Sequence, residues 1–246
     1  MSQHHPYPPV EAPKPLRVPG AIAITALCLA ILAIVVGFLL QVGSQQLLIR
    51  ALDAPLNSRD RAGEAALAAL AGLAQSALVI GALLFAGIAV ICWLFRARTN
   101  LTAFGREPLT WGRGWTIGGW FIPIANLFIP LSVVGEIDTK SATAADGTRT
   151  HGRILFGLWA TTWTLYLIVD RIGAAIVIVM RGTTAAELSA RMPLTIGVGI
   201  VSTLLGISAA ASMIALIRRI GANQDHTLTA AAHAYYQQHY PSYPAL

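Results

Sequence analysis

Charge is what this sequence lacks most. Asp, Glu, Lys and Arg make up 11% of its 246 residues, against roughly a quarter in an ordinary soluble domain. That deficit excludes a soluble globular enzyme as the expected class. The 55% hydrophobic content equally excludes a largely disordered chain, which needs low hydrophobicity and high net charge. Cysteine is scarce too. Cys28 and Cys92 both fall inside apolar runs, with no CxxC and no Cys/His metal spacing, so neither a disulfide framework nor a zinc site is expected. They read as small hydrophobes buried in lipid. Catalytic strings are missing as well. There is no HExxH, no GxSxG and no P-loop, and His4, His5, His151, His226, His233 and His239 all lie outside the apolar runs. The expectation is a non-enzymatic protein with no cofactor and no metal.

What is present is a set of long uncharged stretches. Ala21 to Leu40 is twenty residues without a charge, and about twenty helical residues cross a ~30 Å hydrocarbon core. Ala65 to Phe95 is a second uncharged run, ended by Arg96 and Arg98. Ile154 to Val169 is followed by Asp170, Arg171 and more apolar residues to Met180. Met192 to Ile217 is the fourth, closed by Arg218 and Arg219. These predict spans over about 21–42, 69–95, 154–178 and 193–217. The first is long and lacks a convincing cleavage site after it, so it reads as an uncleaved anchor.

The predicted organisation has three parts. Residues 1–19 hold six of the thirteen prolines, which favours extended polyproline II over helix and predicts a disordered cytoplasmic tail. Residues 20–220 form the four-span membrane domain. Residues 221–246 are a polar, His- and Tyr-rich cytoplasmic tail. The two tails are the expected surface for a protein partner. In span four, Ser202, Gly206 and Ala210 recur every fourth residue. That spacing lets helices approach closely and leaves oligomerisation open.

The net charge of +6 would suggest nucleic acid in a soluble protein. Here the basic residues flank apolar runs, so anionic headgroups on the cytoplasmic side are the expected partner and no nucleic acid is. With four spans, eleven basic residues share the side of both termini and five lie opposite. The positive-inside rule then puts both termini in the cytoplasm. If residues 115–134 also crossed, eight would lie on each side and the bias would vanish.

That middle patch is bounded by Trp115 and Glu136 and interrupted by Pro123 and Pro130. Prolines seven apart break a continuous helix. Asn126 lies between them, and its amide can pair with freed backbone groups. Trp115 and Trp120 suit the headgroup level. The reading is a proline-kinked re-entrant or interfacial helical segment over 115–136. Arg96 and Arg98 would face lipid phosphates, with Asn100 making a turn contact. A sharper expectation is that Arg98 pairs with Glu136 and pins the segment to span two. Asp170 and Arg171 are the only charges inside a predicted span. Ionisable groups there are functional candidates, although about 24 Å of helix at ~1.5 Å per residue puts Asp170 near the outer interface.

The strings WLFRARTNLTAFG and GWTIGGWFIPIANLFIPLSVVGEI resemble the membrane family called domain of unknown function 4328. The matching positions are Trp93, Arg96, Arg98, Asn100, Leu101, Gly105, Gly114, Trp115, Trp120, Phe121, Pro123, Asn126, Leu127, Pro130 and Glu136. The family block often carries a tryptophan where this chain has Phe128. The resemblance is specific over about Ile91 to Ser141, loose through spans three and four, and covers neither tail. It implies a bacterial multi-pass membrane protein and no activity.

The fold class expected is therefore an all-α membrane protein with four transmembrane helices plus the kinked segment. Two functions fit: a non-enzymatic scaffold or regulatory protein acting through its tails, and a small transporter or channel component gated by the broken segment at 120–130.

Overall fold

A computed structural model of the chain describes residues 12–55, 59–122, 124–142, 149–179 and 184–239. Four long helices carry the four apolar runs. They are α1 (Arg17–Asp53), α2 (Arg59–Ala103), α5 (Arg149–Val179) and α6 (Ala185–His239). Between the second and third of these lie α3 (Trp115–Gly118), a single 3-10 turn at Ala125–Leu127, and α4 (Ile129–Ser141). No strand occurs among the described residues. All four long helices are long and apolar enough to cross a membrane, and each contains one of the predicted spans.

The helices overrun their apolar runs. The connection beginning at Ser44 continues α1 through Gln45–Leu52, a stretch of mostly good helix formers, and α1 stops just before Pro55. At the other end of the chain, α6 continues past Arg219 through Ala- and Gln-rich sequence to His239. The first part of the residue 221–246 segment is thus helix. The N-terminal tail falls partly outside the described residues. Its described part, from 12, joins α1 at Arg17.

On α1 the buried stripe is built of small residues, Ala23, Ala26, Ala30 and Ala33. Outside are large ones: Leu32, Leu39, Leu70, Leu73, Leu84 and Ile88 are exposed. Water would penalise such a surface. Lipid does not, and small residues then let helices pack closely. Cys28 and Cys92 are free and also lie on the outer face.

The chain divides into two compact units. One groups the described residues within 1–24, 88–156 and 214–246. It contains the start of α1, the end of α2, α3, α4, the start of α5 and the end of α6. The other groups those within 25–87 and 157–213, and contains only segments of the four long helices.

The middle patch is broken, but not at a kink within one helix. α3 ends at Gly118, and the chain turns through Gly119–Ile122. Pro130 sits in the first turn of α4, where the missing N–H costs nothing. Gly119 permits the fold-back: a Cβ there would lie 2.7 Å from Ile129 Cγ2. Pro123 lies outside the described residues. The turn and the start of α4 leave Phe121, Ile124 and Phe128 exposed at 73%, 76% and 66%.

Candidate functional site

In the first unit a buried polar hub forms around Asn100. Its side-chain amide reads both backbone groups of Lys14. The Lys14 N–H donates to Asn100 Oδ1 at 3.0 Å, and Asn100 Nδ2 donates to the Lys14 carbonyl at 2.8 Å. Lys14 lies between Pro13 and Pro15, so its N–H is the one backbone donor these three residues own. Asn100 Nδ2 also donates to Gln224 Oε1 at 2.9 Å. Gln224 Nε2 in turn donates to the Ala97 carbonyl at 3.1 Å and to Ser141 Oγ at 2.9 Å. Asn100 and Gln224 are both about 1% exposed. One cluster thus joins the chain before α1, the end of α2, the end of α4 and α6.

Two ion pairs flank the hub. Arg219 Nε meets Asp138 Oδ1 at 3.1 Å with both side chains mostly buried, and Arg17 Nε meets Asp225 Oδ2 at 3.2 Å near the surface. Gly152 makes room for the Arg219 guanidinium, which occupies the place a Cβ would take.

The expected Arg98–Glu136 ion pair is replaced by a shared residue, Trp111, whose carbonyl meets Arg98 and whose N–H meets Glu136. Arg98 donates from Nε and Nη2 to the Trp111 carbonyl at 3.1 and 2.8 Å, and from Nη1 to Thr102 Oγ1 at 3.0 Å. Glu136 accepts from the Thr110 N–H at 2.6 Å and the Trp111 N–H at 3.5 Å. No ion pair joins Arg98 to Glu136 among the described residues. The loop between α2 and α3 offers unpaired backbone groups, and these outcompete a direct charge contact because each needs a partner. Trp111 also donates from Nε1 to Ser132 Oγ at 2.8 Å and packs edge-on against Trp115, with centroids 5.7 Å apart.

The other sequence candidates are scattered. Arg96 is half-buried, with Nε lacking a hydrogen-bond partner among the described residues, as does Asn126 Oδ1. Trp115 is exposed and Trp120 half-buried. Pro130 is buried at the start of α4. Lys14, Trp111, Asp138, Ser141 and Gln224 escaped the sequence reading. Only Gln224 carried a signal in advance, as one of two adjacent amides, with Asn223, shortly after an apolar run.

The second unit holds a cavity of about 570 Å³ between α1, α2, α5 and α6, within the 300–1,000 Å³ range of ligand pockets. Asp170 lines it, while Arg171 does not. Gln41, Gln75 and Tyr166 face the same space. The small-residue seam of span four packs inside the chain here. Gly206 lies under Ile34 and Tyr166, both about 3.3 Å from where its Cβ would stand, Ala210 is buried, and Ser202 lines the cavity. No group of three or more His, Cys, Asp and Glu residues that could hold a metal occurs among the described residues.

A family model described as Domain of unknown function (DUF4328) matches residues 57–222. No curated protein and no solved structure matches the chain. The matched stretch includes Asn100, Trp111, Glu136 and Ser141 of the first unit, and ends two residues before Gln224.

Proposed function

From the premise that the chain belongs to the DUF4328 family, whose description assigns no activity, we propose that it is a non-enzymatic interaction protein of the bacterial cell membrane. It crosses four times and keeps both termini in the cytoplasm. The observation that carries this reading is the hub of Lys14, Asn100, Ser141 and Gln224. It fixes the roots of both chain ends against the family motif, and the Arg17–Asp225 pair holds those roots side by side. A partner that engages both tails meets them at a set spacing, so the second contact gains from high effective concentration.

The exposed Phe121, Ile124 and Phe128 support a second element of this reading. On our proposal the 115–136 segment lies in the cytoplasmic leaflet and does not cross, with its apolar turn in lipid and nearby arginines on anionic headgroups. A gate at 120–130 has less support, because none of the residues lining the four-helix cavity comes from that stretch.

The test keeps the hub intact. Full-length protein is compared with a variant lacking residues 2–11 and 241–246, which retains Lys14 and Gln224. Both are purified from native membranes, and co-purifying proteins are identified. The expected result is a partner lost with the tails while the thermal unfolding midpoint holds. An identical set of partners for the two proteins would remove the tail-based reading.

A further inference from the structure

We propose that the four-helix cavity of the second unit binds a small organic ammonium cation, with Asp170 as its counter-ion. Four observations converge. The cavity is large enough for such a molecule, at about 570 Å³. Asp170 is the only charged side chain among its described lining residues. The side chains of Gln41, Gln75, Tyr166 and Asp170 make no hydrogen bonds among the described residues, and all four face the cavity. Ile34, Phe38 and Val79 supply an apolar wall.

The chemistry follows from what these groups leave unsatisfied. Tyr166 and Asp170 are four apart on α5, so both project to one face. A primary ammonium carries three donors. Asp170 accepts one with charge assistance. The amide oxygens of Gln41 and Gln75 and the Tyr166 hydroxyl oxygen offer neutral acceptors for the others. An anion meets no countercharge among the lining residues and would face Asp170. A polycation would exceed the single carboxylate. The body attached to the ammonium lies against Phe38 and its apolar neighbours.

Close helix approaches shape this space. A Cβ on Gly199 would lie 2.6 Å from Phe38 Cε2, and one on Gly173 would lie 3.1 Å from Val198. These glycines let the helices draw together and set Phe38 and Val198 on the cavity wall.

The same ammonium chemistry is offered by a free amine and by an ethanolamine headgroup, and the experiment separates them. The full chain is placed in nanodiscs of phosphatidylcholine. Binding of 2-phenylethylammonium is followed by saturation-transfer NMR, with 2-phenylethanol and phenylacetate as the neutral and anionic counterparts. The expected result is saturable binding of the cation alone, weakened at least tenfold in Asp170→Asn. Ser202→Phe, which fills the cavity and leaves Asp170 in place, abolishes it, and Asp225→Asn leaves it unchanged. Adding phosphatidylethanolamine to the discs suppresses binding if the site takes the lipid headgroup, and leaves it intact if the site takes free amines. The proposal is overturned if folded wild-type protein binds the cation no better than empty discs. It is equally overturned if Asp170→Asn binds within twofold of wild type, or if 2-phenylethanol binds as well as the cation. None of these results depends on the tails.

Discussion

Asn100 on α2 and Gln224 on α6 share a buried hydrogen bond of 2.9 Å across 124 positions of sequence. Each amide is also spoken for elsewhere: Asn100 by the Lys14 peptide, Gln224 by the Ala97 carbonyl and Ser141. The bond therefore belongs to a network in which every removal leaves another buried group unpaired. Such networks fix geometry because a half-satisfied version is costly.

Asn100→Ala should lower stability by about 1–3 kcal/mol for each group it leaves unpaired, and Gln224→Ala should do likewise. The double variant should cost less than the sum of the two, because each single substitution orphans the other's amide. Reversible unfolding in mixed micelles, followed by tryptophan fluorescence, gives the cycle. Strict additivity would show that the two side chains do not act together.

The Trp111 backbone makes a prediction that a direct Arg98–Glu136 pair would not. Arg98 serves the Trp111 carbonyl, and Glu136 serves the Thr110 and Trp111 N–H groups. Reversing either charge presents a group of the wrong sign to a backbone dipole. Arg98→Glu and Glu136→Arg should each release the loop between α2 and α3, and trypsin should cut faster after the exposed Arg113. Combining the reversals should not restore protection, since an acidic residue at 98 still faces a carbonyl. Recovery of the wild-type digestion rate in the double variant would reinstate the direct pair.

The difference between those two pictures marks how far the sequence reaches. The apolar runs announced four helices, because about twenty uncharged residues have few other uses. Basic residues after the runs marked where the apolar stretches stop. Arg98, Asn100 and Glu136 were each legible as polar residues beside a span that need partners, with Arg98 and Glu136 read as a pair and Asn100 as a separate turn contact. Their partners were not. Lys14 acts through its backbone groups and Trp111 in good part through its own, and a peptide bond looks the same at every position. Gln224 sits in a stretch whose composition reads as tail, and only the continuation of α6 brings it back to Asn100. Helix ends were also hidden, since Ala-, Leu- and Gln-rich sequence extends a helix as readily in water as in lipid. The cavity beside Asp170 needed four segments in register, which no periodicity within one segment reveals.

Asp138 and Arg219 form the more buried of the two ion pairs. Breaking one partner of such a pair costs about 3–5 kcal/mol, whereas replacing both by apolar residues of similar size is often neutral. Asp138→Leu and Arg219→Met should each destabilise by that order, and the double variant should be milder than either single one. Gly152→Ala should be milder than either single loss, because the Arg219 guanidinium in its way is the end of a flexible chain that can move aside. Thermal midpoints of the four proteins decide the matter. A double variant worse than both singles would mean that the pair contributes net stability.

Gly199 and Phe38 give the corresponding test in the second unit. The ring of Phe38 lies where a Gly199 side chain would begin, 2.6 Å from its ideal Cβ. An aromatic ring cannot yield as a flexible chain end does, so Gly199→Ala must push it off its rotamer or part the helices. Overpacking of this kind costs about 1–3 kcal/mol. Phe38→Leu removes the obstruction and should itself cost less than about 1.5 kcal/mol, as a modest apolar swap does. In the Phe38→Leu background, Gly199→Ala should be nearly neutral, and helix propensity even favours it by up to about 1 kcal/mol. The same double-variant cycle read by unfolding measures this. A Gly199→Ala penalty that persists unchanged without the ring would show that Phe38 is not what demands glycine there.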